Sequence, residues 1–155
     1  MKGISIVSGL LLAILFSSFS VSAQQLDKKL ILQLVNDART KGCHCGNKKF
    51  APATPLVWND KLENAATTHT KDMESKKFFS HTGSNGTTVP SRIEKVGYKW
   101  LNYGENIGFG YLDEKEAVEA WLKSPGHCKN IMNPMFAELG ASRSGNYWTQ
   151  VFARQ

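Results

Sequence analysis

Hydrophobic positions recur at helical spacing in three separate stretches of the chain. Leu30, Ile31, Leu34, Val35 and Ala38 fit a 3.6-residue period, with Asp27 placed to cap the helix, Leu26 to staple against Ile31, and Gly42 to end it. From about Asp60 to Lys76, Leu62, Ala65, Ala66, His69 and Met73 share a face while Lys61, Glu63, Lys71 and Glu74 fall elsewhere. His69 is therefore expected on the apolar side, as a hydrogen-bonded core residue rather than a ligand. A third helix carries Ala117, Val118, Trp121 and Leu122 behind Asp113 and Glu116 at capping-box spacing, and Pro125 stops it near Ser124. His127 then falls at a corner. A shorter helix opens at Pro90, turns Ile93 and Val96 inward, and ends at Gly97.

Alternation takes over elsewhere. Glu105 to Phe109 reads as a strand with Ile107 and Phe109 on one side, and Glu105 shares that face. A carboxylate beside the core is costly unless a cation, a histidine or a metal compensates it. Leu139–Arg143 and Tyr147–Phe152 flank a Ser-Gly-Asn tip, a hairpin signal. Between the first two helices, Cys43 to Val57 carries too much Gly and Pro for regular structure, so a long loop is expected. Phe78 and Phe79 are expected to bury themselves and leave His81 at the edge of the packed region, ahead of a turn over Ser84–Thr87. Helices early and strands late predict a mixed layer architecture.

A length of 155 residues with 41% hydrophobic content suits one domain. Residues 1–23 read as a secretory signal peptide: Lys2, an apolar run from Ile4 to Phe19, then Val21-Ser22-Ala23 with small residues where a signal peptidase cuts. The expected product is a single domain over 24–155, secreted to the periplasm or the extracellular space, with no stable membrane insertion once the signal is gone. The net charge of +6 becomes +5 without Lys2, which favours anionic envelope surfaces. The lysines are scattered, with no arginine cluster and no recognition signature, so nucleic acid is excluded as a partner.

Three cysteines, Cys43, Cys45 and Cys128, form an odd set in an oxidising context. A bridge between Cys43 and Cys45 is disfavoured, since alternate residues of an extended chain lie about 6.5 Å apart. A zinc site built from the three thiols, with His44 adjacent, stays open as a rival to any bridge.

The segments SPGHCKNIMNPMF at 124–136, GENIGFG at 104–110, FFSHTGSNG at 78–86 and YWTQVFA at 147–153 resemble, in order and spacing, the bacterial SCP-like branch of the CAP superfamily. The likeness runs from Leu26 to Ala153. It implies an α+β fold, a three-layer α-β-α sandwich around a small antiparallel sheet. By the same resemblance Cys45 pairs with Cys128, leaving Cys43 free or competing for the same partner. A central cleft is implied as well, with His81, Glu105 and His127 in it and Ser124, Asn106 and Asn130 supporting it. Ser124 stands where relatives carry a second acid, so the acidic pair is incomplete.

Two histidines and a carboxylate suit Zn2+ or another divalent cation; the alternative is a hydrogen-bonded network with Glu105 compensated by imidazolium and asparagine donors. No nucleophile is assigned, since Ser80 beside His81 in sequence does not make a dyad. The resemblance points first to a non-catalytic binding module for a small or lipid-like ligand, as some members bind sterols and fatty acids. The alternatives are a metal-dependent hydrolase of envelope or host peptides, and a structural or adhesive envelope protein.

Overall fold

A computed structural model of the protein describes residues 25–155; the signal peptide read over 1–23 lies outside them. Helix α1 (Lys28–Lys41) starts at Asp27, whose side chain accepts from the Leu30 amide, and ends at Gly42. A hairpin of β1 (Cys43–Cys45) and β2 (Lys48–Phe50) follows, then β3 (Val57–Trp58). Helix α2 (Asp60–Lys76) is capped by Asn59, and the short α3 (Val89–Lys95) by Thr88 in a closed capping box. After β4 (Asn102–Phe109) come α4 (Glu114–Lys123), α5 (Pro125–Ile131), β5 (Glu138–Ser144) and β6 (Tyr147–Arg154).

The central sheet has the order β3-β5-β6-β4. Strand β3 runs parallel to its neighbour, whereas β5 with β6 and β4 with β6 are antiparallel. Alternation along β6 divides the core in two. Trp148 and Phe152 join Ile31, Val35, Val118, Trp121 and Ile131 of α1, α4 and α5 on one face. Val151 and Ala153 meet Leu62, Ala65, Ala66 and Ile93 of α2 and α3 on the other. This is the expected α+β sandwich of helices, sheet and helices, with one correction: the sheet is not antiparallel throughout, since the two-residue edge strand β3 pairs parallel with β5. Gly140 of β5 lets α2 come close, since a Cβ there would stand 2.0 Å from the Glu63 nitrogen.

Several local expectations need correction. The segment after α1 is not irregular throughout: β1 and β2 pair from Cys43↔Phe50 to Cys45↔Lys48, with Gly46 at φ +61° in the turn. The disulfide Cys45–Cys128 ties this hairpin to α5 across a Cα–Cα distance of 5.4 Å, leaving Cys43 as the free thiol. Phe79 is exposed, as is Phe109, because both stand at the rim of the sheet, where ring meets ring at centroid distances of 6.3 Å between them and 4.8 Å from Phe109 to Tyr147. Leu30 is also outside the core. Glu116 does not close a capping box: its carboxylate accepts from the Leu112 amide, while Asp113 caps the Glu116 amide.

The chain after Trp121 does not merely break at Ser124. Ser124 is at once the C-cap of α4 and the N-cap of α5, with Pro125 in the first turn where a missing N–H costs nothing. His127 therefore rides on a seven-residue helix.

Arg39 lies on the buried face of α1 with Ile31 and Val35, and it is fully enclosed. Its guanidinium donates to Thr54 O at 2.8 Å, to Ile131 O at 2.6 Å, to Asn133 O at 2.9 Å and to Phe136 O at 3.3 Å. Burial lowers its pKa without discharging it near neutrality.

Candidate functional site

Glu105 sits mid-way along β4 opposite Val151, so its side chain points to the α2–α3 layer. Its side chain is 1% exposed, and both carboxylate oxygens are taken. Arg92 of α3 donates from Nη2 to Oε2 at 2.6 Å, and His81 Nδ1 donates to Oε1 at 2.8 Å. The compensating cation that the strand pattern demands is thus Arg92, helped by His81. Arg92 is itself buried and donates onward to the carbonyls of His81 and Thr87, which fixes the loop carrying His81. Sequence reasoning missed Arg92; its one signal is its place beside the inward-facing Ile93.

His69 of α2 is buried, as its helical face predicts, yet it borders the same carboxylate, with Nε2 3.9 Å from Glu105 Oε1. That nitrogen donates to Ser80 O at 2.8 Å. Burial is the main cause that holds the His69 pKa below the ordinary histidine value, against the pull of Glu105. The neutral ring that results, assigned from its hydrogen bonding, carries its proton on Nε2 and leaves Nδ1 without a partner.

The opposite side of β4 holds α5. Asn106 Nδ2 donates to His127 O and to Gln150 Oε1, both at 3.2 Å, while Asn130 Nδ2 donates to Asn106 Oδ1 at 2.9 Å and to Glu105 O at 3.1 Å. The two asparagines clamp the backbone of α5 to the strand, and so set where the His127 ring emerges. Ser124 makes no side-chain cap to α5. His127 is half-buried, and its pKa is lowered by desolvation first and then by the nearby His81, which disfavours a second positive charge. Among the described residues, the one group of three or more His, Cys, Asp or Glu close enough to share an ion is Cys43, Cys45 and Cys128, not His81, Glu105 and His127.

The profile of the Cysteine-rich secretory protein family, CAP, matches residues 32–152. This chain belongs to the CAP family. Two curated Bacillus subtilis proteins are similar: the uncharacterized membrane protein YlbC at 33% identity, covering 85% of this chain and 36% of that one, and the uncharacterized protein YkwD at 34%, covering 86% and 48%. The chain thus spans less than half the length of these relatives. Among solved structures, an extracellular SCP-domain protein of Bacillus anthracis superposes with a TM-score of 0.74 at 29% identity, over 82% of this chain and 40% of that one. No helix of this CAP domain, among the described residues, is long and apolar enough to cross a membrane.

Two hollows lie on the α2 side of the CAP domain. One, of about 530 Å³ between α2 and α3, is bordered by His69, Asp72, Asn85, Arg92 and Lys95, behind the Glu105 network. A shallower one, of about 250 Å³, lies against Phe109, Tyr147, Lys77 and Glu74 at the rim.

The two neutral-leaning histidines give the CAP domain a definite pH response. In the unfolded chain both titrate near the ordinary value of about 6.5, whereas in the fold both pKa values lie lower. The unfolded state therefore binds more protons as pH falls below about 6.5, and stability drops by up to roughly 1.4 kcal/mol per pH unit per histidine until the folded values are passed. Urea denaturation at pH 7.5, 6.0 and 5.0 is expected to show this decline, with a shallower slope in His127→Gln; identical slopes in parent and variant would remove His127 from the account.

Proposed function

We propose that this CAP domain is the binding module of an exported protein, and that its cleft binds without turning over what it holds. The observation that carries this reading is the occupied state of Glu105. With both oxygens committed to Arg92 and His81 and its side chain out of water, that carboxylate is poorly placed as a general base, and Ser124 supplies no second acid. What the cleft offers is imidazole. The bond from His81 Nδ1 to Glu105 fixes the ring and leaves Nε2 available, the carboxylate–histidine pairing that commonly stands behind a metal ligand. His81 Nε2 and the His127 ring would hold a divalent cation such as Zn2+, with Glu105 orienting rather than ligating. Exposed rings of Phe79 and Phe109, together with the hollow beside Tyr147, support a small or lipid-like ligand at the adjacent rim.

Calorimetric titration of zinc into the oxidised protein, with Cys43 alkylated, tests the cleft. Micromolar or tighter binding is expected, abolished in the His81→Ala/His127→Ala double variant and weakened roughly 10–100-fold in Glu105→Gln. Heat that is absent, or indifferent to the double substitution, would remove the metal. Zinc-dependent cleavage of a peptide or lipid-ester panel that disappears with the two histidines would instead make the cleft hydrolytic and overturn the binding reading.

A further inference from the structure

Three sulfurs meet where the β1–β2 hairpin touches α5. Cys45 and Cys128 form the bridge, and the Cys43 Sγ lies 3.6 Å from that of Cys128 and 4.0 Å from that of Cys45. A tetrahedral zinc with Zn–S bonds of about 2.3 Å keeps its thiolates roughly 3.8 Å apart. Both spacings made by Cys43 are therefore already those of two ligands on one ion. The third pair is closer because it is bonded, and reducing that bond frees the two sulfurs to part.

The surroundings suit an ion. Cys45 and Cys128 are 2% and 0% exposed, so two of the three thiolates would be shielded from water and from competing ligands. Cys43 is half-buried and borders an open hollow of about 420 Å³, lined also by Lys41, His44, Lys49 and Phe50. That hollow has room for a fourth ligand, a water or an imidazole. Its two lysines would offset the negative charge left when three thiolates surround a divalent cation.

From this geometry we infer that, once an external thiol or phosphine supplies two electrons and the Cys45–Cys128 bridge opens to two thiols, the protein holds a thiophilic cation, zinc or another borderline-soft divalent ion, on Cys43, Cys45 and Cys128. Ion and bridge are then alternative occupants of the same three sulfurs. The site is separate from the histidine cleft. Binding displaces three thiol protons, so it weakens as pH falls.

The test is a titration of Co2+, then Zn2+, into the protein after reduction of the bridge with a phosphine. One equivalent is expected to bind with a sulfur-to-cobalt charge-transfer absorption that zinc removes, and zinc is expected to raise the melting temperature of the reduced protein. Cys43→Ser keeps the bridge when oxidised, which verifies its fold. Once reduced, it is expected to show a weaker band, from two thiolates in place of three, and to bind at least tenfold more weakly. His81→Ala/His127→Ala is expected to leave both unchanged. Equal binding by Cys43→Ser would overturn the inference, as would the absence of the band in reduced parent protein, or a melting temperature of the reduced protein that zinc leaves unchanged.

Discussion

Replacing Arg92 with alanine is expected to destabilise the fold by about 3–5 kcal/mol, the range for breaking a buried ion pair from one side. Most of that cost comes from the carboxylate left stranded, and less from the hydrogen bond that disappears. Glu105 would remain in the α2–α3 layer with its side chain 1% exposed and only the hydrogen bond from half-exposed His81 as a partner. The carbonyls of His81 and Thr87 would lose their donor too, so the loop over 81–88 should loosen before the sheet does. A double-mutant cycle separates these effects. Arg92→Ala combined with Glu105→Gln removes the stranded charge and should recover a large part of the stability, leaving the cost of the two carbonyls. Urea denaturation of the four proteins measures this. A decrease below about 1 kcal/mol for Arg92→Ala would mean that water or another cation reaches Glu105, and the role given to Arg92 would fail.

Arg39→Met is expected to cost about 3 kcal/mol or more, because four carbonyls from three parts of the chain would lose a common donor at once. One guanidinium joins the segment before β3, the end of α5 and the turn leading into β5. Its planar fork reaches Thr54, Ile131, Asn133 and Phe136 together, whereas an ammonium group is a point donor on a flexible stem. Arg39→Lys should therefore restore less than half of the missing stability. Hydrogen exchange locates the damage: the Ala53 amide, which bonds to Arg39 O, and the amides of Met132 and Phe136 should lose protection, while those of α2 keep theirs. Uniform loss of protection across the domain, or full rescue by lysine, would contradict the shared-donor role.

Where one apolar face meets one neighbour, periodicity is a sufficient guide. The bounds of α2, the start and stop of α1, and the β5–β6 hairpin all follow from local spacing and capping. Arg39 shows where it runs out. It continues the buried step from Ile31 and Val35, but a charged residue at that step reads as surface unless its four distant acceptors are already known. The β1–β2 hairpin is hidden in the sequence because His44, Lys48 and Lys49 are exposed, so no alternation marks it, and a bridge 83 residues away in sequence holds it in place. At the site, the strand pattern states what Glu105 needs without saying who provides it. Arg92 and His69 reach that carboxylate from helices whose placement against β4 is tertiary. Phe79 departs from expectation for a related reason: hydrophobicity says that a ring favours burial, not that the fold has space for it.

The shared cap at Ser124 has a mechanical consequence. With no linker between α4 and α5, the short helix is set at that joint, and its far end is held by the Arg39 bond to Ile131 and by the asparagine clamp on β4. His127 and Cys128 are neighbours on this stub, one near His81 and the other bonded to the hairpin. The stub thus makes two distant restraints act as one: whatever ties Cys128 to the hairpin also fixes the stretch of backbone from which the His127 ring emerges.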